Sequence, residues 1–113
     1  MADTETQHSA QTALHKARVA LQALEARCCD PGRSPRMAEL ARILDGVEAR
    51  LPDALADAAV ADDTLTGLED AGAQIGSLQI GCCAPNRLPL YAEILRELTT
   101  MQLEINRSLG RNH

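Results

Sequence analysis

Aromatic side chains are almost absent from this sequence. The 113 residues include one tyrosine, no phenylalanine and no tryptophan, although hydrophobic residues make up 45% of the chain. A core without aromatic rings must be built from Leu, Ile, Val, Ala and Met, a set that suits helices. The length is sufficient for one modest core. We therefore expect a single all-α domain spanning residues 1–113.

Positive charge and long apolar runs are also scarce. The formal net charge is -5, whereas nucleic acids and anionic membranes bind positive surfaces. No apolar run reaches the length of a membrane span. The segment from Met1 to Gln11 lacks the apolar stretch of a signal peptide. We expect a soluble cytoplasmic protein whose partners are neither nucleic acid nor membrane.

Cysteine is confined to two short segments with one pattern. Residues 28–35 and 82–89 both read C-C-x-P-x-R-x-P, and all four cysteines of the chain lie in them. The match extends further, because residues 12–51 align without a gap on residues 66–105, and about a third of the aligned positions are identical. Two amphipathic helices can share leucines by chance, but not this cysteine pattern. The repeat therefore predicts a duplicated helical hairpin.

Apolar residues recur at steps of three and four, as on one face of a helix. We expect the first helix to run from Ser9 to the cysteines, the second from Pro35 to Leu51 with Pro52 following its end, and the fourth from about Pro89. Residues 53–66 favour either a short extra turn or a loosely formed start of the third helix. The four stripes are Leu14, Ala17, Leu21 and Leu24; Met37, Leu40, Leu44, Val47 and Leu51; Leu68, Ala71, Ile75 and Leu78; and Tyr91, Ile94, Leu98, Met101 and Ile105.

Two such hairpins predict an antiparallel up-down-up-down four-helix bundle. The first and third helices then run in the same direction, so both cysteine turns lie at the same end. A pseudo-twofold axis along the bundle would bring these turns face to face. The expected result is a site at which Cys28, Cys29, Cys82 and Cys83 converge.

Four thiolates in a reducing compartment indicate a soft metal centre. Zinc ligands are usually two to four residues apart, whereas the side chains of adjacent cysteines diverge. An iron–sulfur cluster accepts divergent ligands more readily, and we expect a [4Fe–4S] cluster. Arg33, Arg87 and the N-termini of the following helices would stabilise its negative charge.

Several alternatives stay open at this point. The metal centre can instead be a [2Fe–2S] cluster, Zn or Cu(I), and a homodimer can share one cluster between two chains. The thiols can form disulfides between Cys28 and Cys82 and between Cys29 and Cys83, or take part in thiol redox chemistry. Cys28 and Cys82 also lie on the apolar stripes, where cysteine packs well.

The choice between a carrier and an enzyme follows from what accompanies the cysteines. No nucleophile–base pair, phosphate loop or H-E-x-x-H pattern accompanies them. The sequence therefore favours a carrier over an enzyme, used for electron transfer, sensing or cluster delivery. We expect a redox or cluster-accepting protein as its partner. The competing interpretation is a helical protein-interaction module.

Overall fold

Helices account for nearly all of the backbone that the structure describes. The computed structural model describes residues 4–27, 35–78 and 84–110, with the backbone alone for Arg27, Pro35 and residues 84–87. These residues form four helices and no strand, which confirms the prediction of an all-α fold for this part of the chain. The helices are α1 (Thr4–Arg27), α2 (Pro35–Ala54), α3 (Ala58–Leu78) and α4 (Ala84–Ser108).

The helices pack most extensively between the two halves of the chain. Helix α1 lies mainly against α4, and α2 lies mainly against α3, while the pairs α1–α2 and α3–α4 make fewer contacts. Small residues at the two main interfaces allow this close packing. Ala13 of α1 lies beside α4, and its counterpart in the repeat, Gly67 of α3, lies beside Ile43 and Val47 of α2. This pairing is consistent with a helix bundle.

All four apolar stripes face the core, as predicted. Every residue of the stripes from Leu14 to Ile105 is buried. Buried residues also recur at corresponding positions of the repeat, so that Leu14 matches Leu68 and Met37 matches Tyr91. The helix ends keep the same register, because the starts of α1 and α3 correspond, and so do the ends of α2 and α4. The repeat in the sequence is thus matched by a repeat in burial and in helix boundaries.

Three helix boundaries differ from the sequence prediction. Helix α1 begins at Thr4 rather than Ser9, because Thr6 and Ala10 extend its buried face by another turn. Helix α2 continues past Pro52 to Ala54, a residue that is fully buried. Helix α4 begins at Ala84, five residues before Pro89. Both prolines are exposed and lie inside their helices, and each removes one N–H donor from the helical hydrogen bonds.

A short connection between α2 and α3 resolves the ambiguity over residues 53–66. The Asp57 carboxylate accepts a hydrogen bond of 2.9 Å from the backbone N–H of Ala59, so it caps the start of α3. The Ser108 hydroxyl, at the end of α4, donates a 2.8 Å hydrogen bond to the carbonyl of Leu55 in this connection. Asp57 in this connection therefore caps the start of α3, and Ser108 joins the connection to the last turn of α4.

The C-terminal end of α4 closes with a left-handed glycine. Gly110 has φ of 74°, a conformation that glycine adopts without steric cost. Its N–H donates a 3.1 Å hydrogen bond to the carbonyl of Arg107. Across the part of the chain that the structure describes, no helix combines the length and apolar character that crossing a membrane requires.

Candidate functional site

The residues predicted to form the metal site lie at the junctions between helices. Cys28, Cys29 and Arg33 fall between α1 and α2, and Cys82 and Cys83 fall between α3 and α4, all outside the described residues. The backbone of Arg87 lies within the first turn of α4, where the sequence predicted a turn before the helix. The site must therefore be built from the helix ends that flank these segments.

The helix ends come very close in sequence to both cysteine pairs. Helix α1 ends at Arg27, the residue before Cys28, and α4 begins at Ala84, the residue after Cys83. The first N–H groups of a helix lack partners within the helix and carry a partial positive charge. Because α4 begins earlier than predicted, these groups follow the second cysteine pair directly.

Tyr91 of α4 is hydrogen-bonded to the end of α3. Its side chain is fully buried, and its hydroxyl donates a 3.2 Å hydrogen bond to the carbonyl of Leu78, the last residue of α3. The sequence placed Tyr91 on an apolar stripe, but gave no sign of this partner. The bond connects the second turn of α4 to the end of α3, four residues before Cys82.

Ion pairs join α1 and α2, the helices on either side of the first cysteine pair. The Arg18 guanidinium donates a 3.0 Å hydrogen bond to Glu48 and a second hydrogen bond to Asp45. Partial burial alone would lower the pKa of Arg18, but the hydrogen bond to Asp45 and the charge of Glu48 outweigh it and raise that pKa. The three side chains hold the C-terminal half of α1 beside the middle of α2.

The end of α1 also lies beside the start of α4. Ala23 of α1 and Leu90 of α4 line the same surface groove. Ala23 is five residues before Cys28, and Leu90 is seven residues after Cys83. The two junctions are therefore flanked by residues that share one surface of the molecule.

Two acidic side chains of α4 are more buried than the sequence suggested. Glu97 and Glu104 are only 6% and 5% exposed, and both face the groove between α1 and α4. Glu104 pairs with Arg107 at 3.1 Å, and Glu97 lies 3.8 Å from Arg96. The sequence signal for their burial was a spacing of seven residues, which places both on one helical face. The apolar stripe beside them was the stronger signal.

The residues that the structure describes provide no metal site elsewhere. Among them, no group of three or more His, Cys, Asp or Glu side chains is arranged to hold a metal ion. The four cysteines thus stay the only metal ligands predicted for this chain. Comparison with protein families, with curated proteins and with solved structures finds no match.

Proposed function

We propose that this protein holds an iron–sulfur cluster through Cys28, Cys29, Cys82 and Cys83. In this proposal it is a cytoplasmic carrier for electron transfer, sensing or cluster delivery. The observation that carries the proposal is the repeated C-C-x-P-x-R-x-P segment. One copy falls at the α1–α2 junction and the other at the α3–α4 junction. The cluster is expected to be [4Fe–4S], with each iron bound by one thiolate.

The proposal requires the four helices to form an antiparallel bundle of two duplicated hairpins. Contacts along the helices support this arrangement. Arg18 is nine residues before the end of α1, and its partner Asp45 is ten residues after the start of α2. Ala23 near the end of α1 adjoins Leu90 near the start of α4. Such contacts are expected when both cysteine junctions share one end of the bundle.

The chemistry of the donor set fits a negatively charged guest. Four thiolates are soft ligands that suit iron–sulfur clusters. The N-terminus of α4 follows Cys83 directly, and its free N–H groups favour anionic sulfur. Arg33 and Arg87 are proposed to add positive charge at the same place. When bound, the cluster would supply one-electron redox chemistry, and the protein would tune its potential through these donors.

Anaerobic purification of the full chain tests the proposal. We expect brown protein that contains about four iron atoms per chain and gives an EPR signal in its reduced form. The variants Cys29→Ser and Cys83→Ser should each lose most of the iron. Ala26→Ser is the matched control, because it adds a hydroxyl beside the first junction without removing a thiol. It should keep the iron.

Other outcomes would contradict the cluster and identify its replacement. Colourless protein with about one zinc ion per chain would indicate a structural zinc site. Metal-free protein with one rapidly reacting thiol of low pKa would indicate a thiol oxidoreductase. A chain that has fewer than four free thiols without reductant, and recovers them two at a time on reduction, would indicate disulfides.

A further inference from the structure

An apolar groove between α1 and α4 is unlike the corresponding surface of the other half. Its floor and walls are formed by Val19, Ala20 and Ala23 of α1 and Leu90 of α4, around a volume of about 420 Å³. Val19 is 50% exposed although it is a large apolar side chain. A single exposed valine is ordinary, but this one belongs to a continuous apolar lining.

The repeat provides an internal control for this groove. In the alignment of the two halves, Val19, Ala20 and Ala23 correspond to Ala73, Gln74 and Ser77 in α3, and Leu90 corresponds to Arg36 in α2. The pairs α1–α4 and α2–α3 are the two closely packed helix pairs. Because the same kind of packing supports a polar surface between α2 and α3, packing does not require the apolar lining between α1 and α4.

The two charged side chains that flank the groove are complementary to the same two side chains of a second copy of the chain. Lys16 of α1 and Glu93 of α4 line both this groove and the neighbouring polar one, and they belong to the two different helices that form its walls. A twofold axis along the groove would exchange the two walls. It would set Lys16 against Glu93 of a second copy twice, and Val19 against the apolar wall that carries Leu90.

The corresponding surface between α2 and α3 would repel a copy of itself. Its flanking positions, the counterparts of Lys16 and Glu93 in the repeat, are Asp70 and Glu39. A twofold axis there would set acidic groups against acidic groups, which disfavours association. Glu93 also pairs with Arg96 of its own chain, and a carboxylate has lone pairs for both partners.

We propose that the groove flanked by Lys16 and Glu93 binds a second copy of this chain about a twofold axis along α1 and α4. The contact uses none of the cysteines and goes beyond the proposed cluster function. The groove is short compared with the 44 Å length of the molecule. An interface of this size is expected to be weak, at the low end of specific interfaces.

Sedimentation of the full chain with reductant and chelator tests this interface without cluster or disulfide links. Over about 10 μM to about 1 mM, the wild-type chain should pass from monomer to dimer. Val19→Glu should raise the dimer dissociation constant at least about tenfold. Ala73→Glu is the matched control at the corresponding exposed position of α3, and it should leave the constant within about twofold.

Charge exchange provides a second measurement. Lys16→Glu should weaken the dimer, and the double variant with Glu93→Lys should restore it. Circular dichroism and urea unfolding of each variant verify that the fold is kept. A wild-type chain that stays monomeric throughout overturns the proposal. Equal weakening by Val19→Glu and Ala73→Glu, or no rescue in the double variant, overturns it as well.

Discussion

The hydroxyl of Tyr91 donates a 3.2 Å hydrogen bond to the carbonyl oxygen of Leu78. Leu78 is the last residue of α3, and carbonyl groups at the end of a helix have no donor within the helix. The bond therefore gives the Leu78 carbonyl a donor from the fully buried ring of Tyr91 in α4.

Removal of this hydroxyl tests its contribution to stability. Tyr91→Phe keeps the buried ring and should lower the free energy of unfolding by about 1 kcal/mol, measured by urea denaturation of the reduced, metal-free chain. Thr66→Val is the control, because it removes a hydroxyl whose hydrogen bond to Asp62 is exposed. Its effect should stay below about 0.5 kcal/mol. Equal effects of the two variants would contradict the assigned role.

The buried carboxylate of Glu97 is expected to cost stability. Arg96 is 3.8 Å away and mostly exposed, whereas Glu97 is 6% exposed. Replacing a poorly paired buried charge by a well-packed apolar residue stabilises many proteins. Glu97→Leu should therefore raise the free energy of unfolding by about 1 kcal/mol.

A matched variant separates the effect of burial from the effect of the Glu-to-Leu change itself. Glu69→Leu makes the same chemical change at an exposed position of α3. It should leave the free energy of unfolding within about 0.5 kcal/mol of the wild-type value. A destabilised Glu97→Leu chain would mean that the carboxylate contributes a favourable interaction in the groove.

Gly67 lies in a helix interface that can accept a methyl group. A Cβ atom there would lie 3.6 Å from Val47 Cγ2 and 3.9 Å from Ile43 Cγ2, which are ordinary contacts. Gly67→Ala should stabilise the chain by about 1 kcal/mol through helix propensity, with further gain from the added contacts. Thermal unfolding measures the change.

Gly76→Ala is the companion variant for helix propensity alone. A Cβ atom at Gly76 would meet nothing within 4 Å, so only the propensity gain is expected. Gly67→Ala should equal or exceed it. A smaller or negative effect at Gly67 would mean that α2 and α3 pack too closely for the methyl group.

Glu39 and Arg42 form an exposed ion pair with a measurable pH signature. The hydrogen bond from Arg42, helped by its charge, lowers the pKa of Glu39 below its ordinary value of 4.5. Because the folded-state pKa is the lower one, the pair stabilises the fold above pH 4.5 and this contribution is lost as the pH falls through the folded-state value.

Carbon-detected NMR titration of the Glu39 carboxyl group measures this pKa directly. In Arg42→Gln the pKa should return toward 4.5. Added salt should shift it in the same direction, because exposed charges are screened. A Glu39 pKa that is the same in both chains would show that the pair does not persist in solution.

Sequence reasoning was most successful where burial repeats along a helix. The stripe from Met37 to Leu51 is buried as expected, because a period near 3.6 leaves one helical face to cover. Helix ends were predicted less well. Pro89 was expected near the start of α4, which begins at Ala84 instead. Pro89 therefore lies inside the helix rather than at the first position that proline prefers.

Properties that depend on partners across the fold could not be predicted from sequence. The Leu78 carbonyl gives no signal in the sequence, so the partner of the Tyr91 hydroxyl was not foreseen. The groove flanked by Lys16 and Glu93 likewise depends on which helices pair. The cysteine pattern was evident from the sequence, and its metal site stays a prediction for the experiments above.

The preference of α1 for α4 and of α2 for α3 has a consequence for fragments of this protein. Each half places its most extensive contacts on the other half, so we expect that neither half alone can cover its own apolar faces. A peptide ending at Leu55 should be largely unstructured, and mixing it with a peptide that begins at Ala56 should restore helical structure. Cleavage in this connection would thus leave two chains that refold only together.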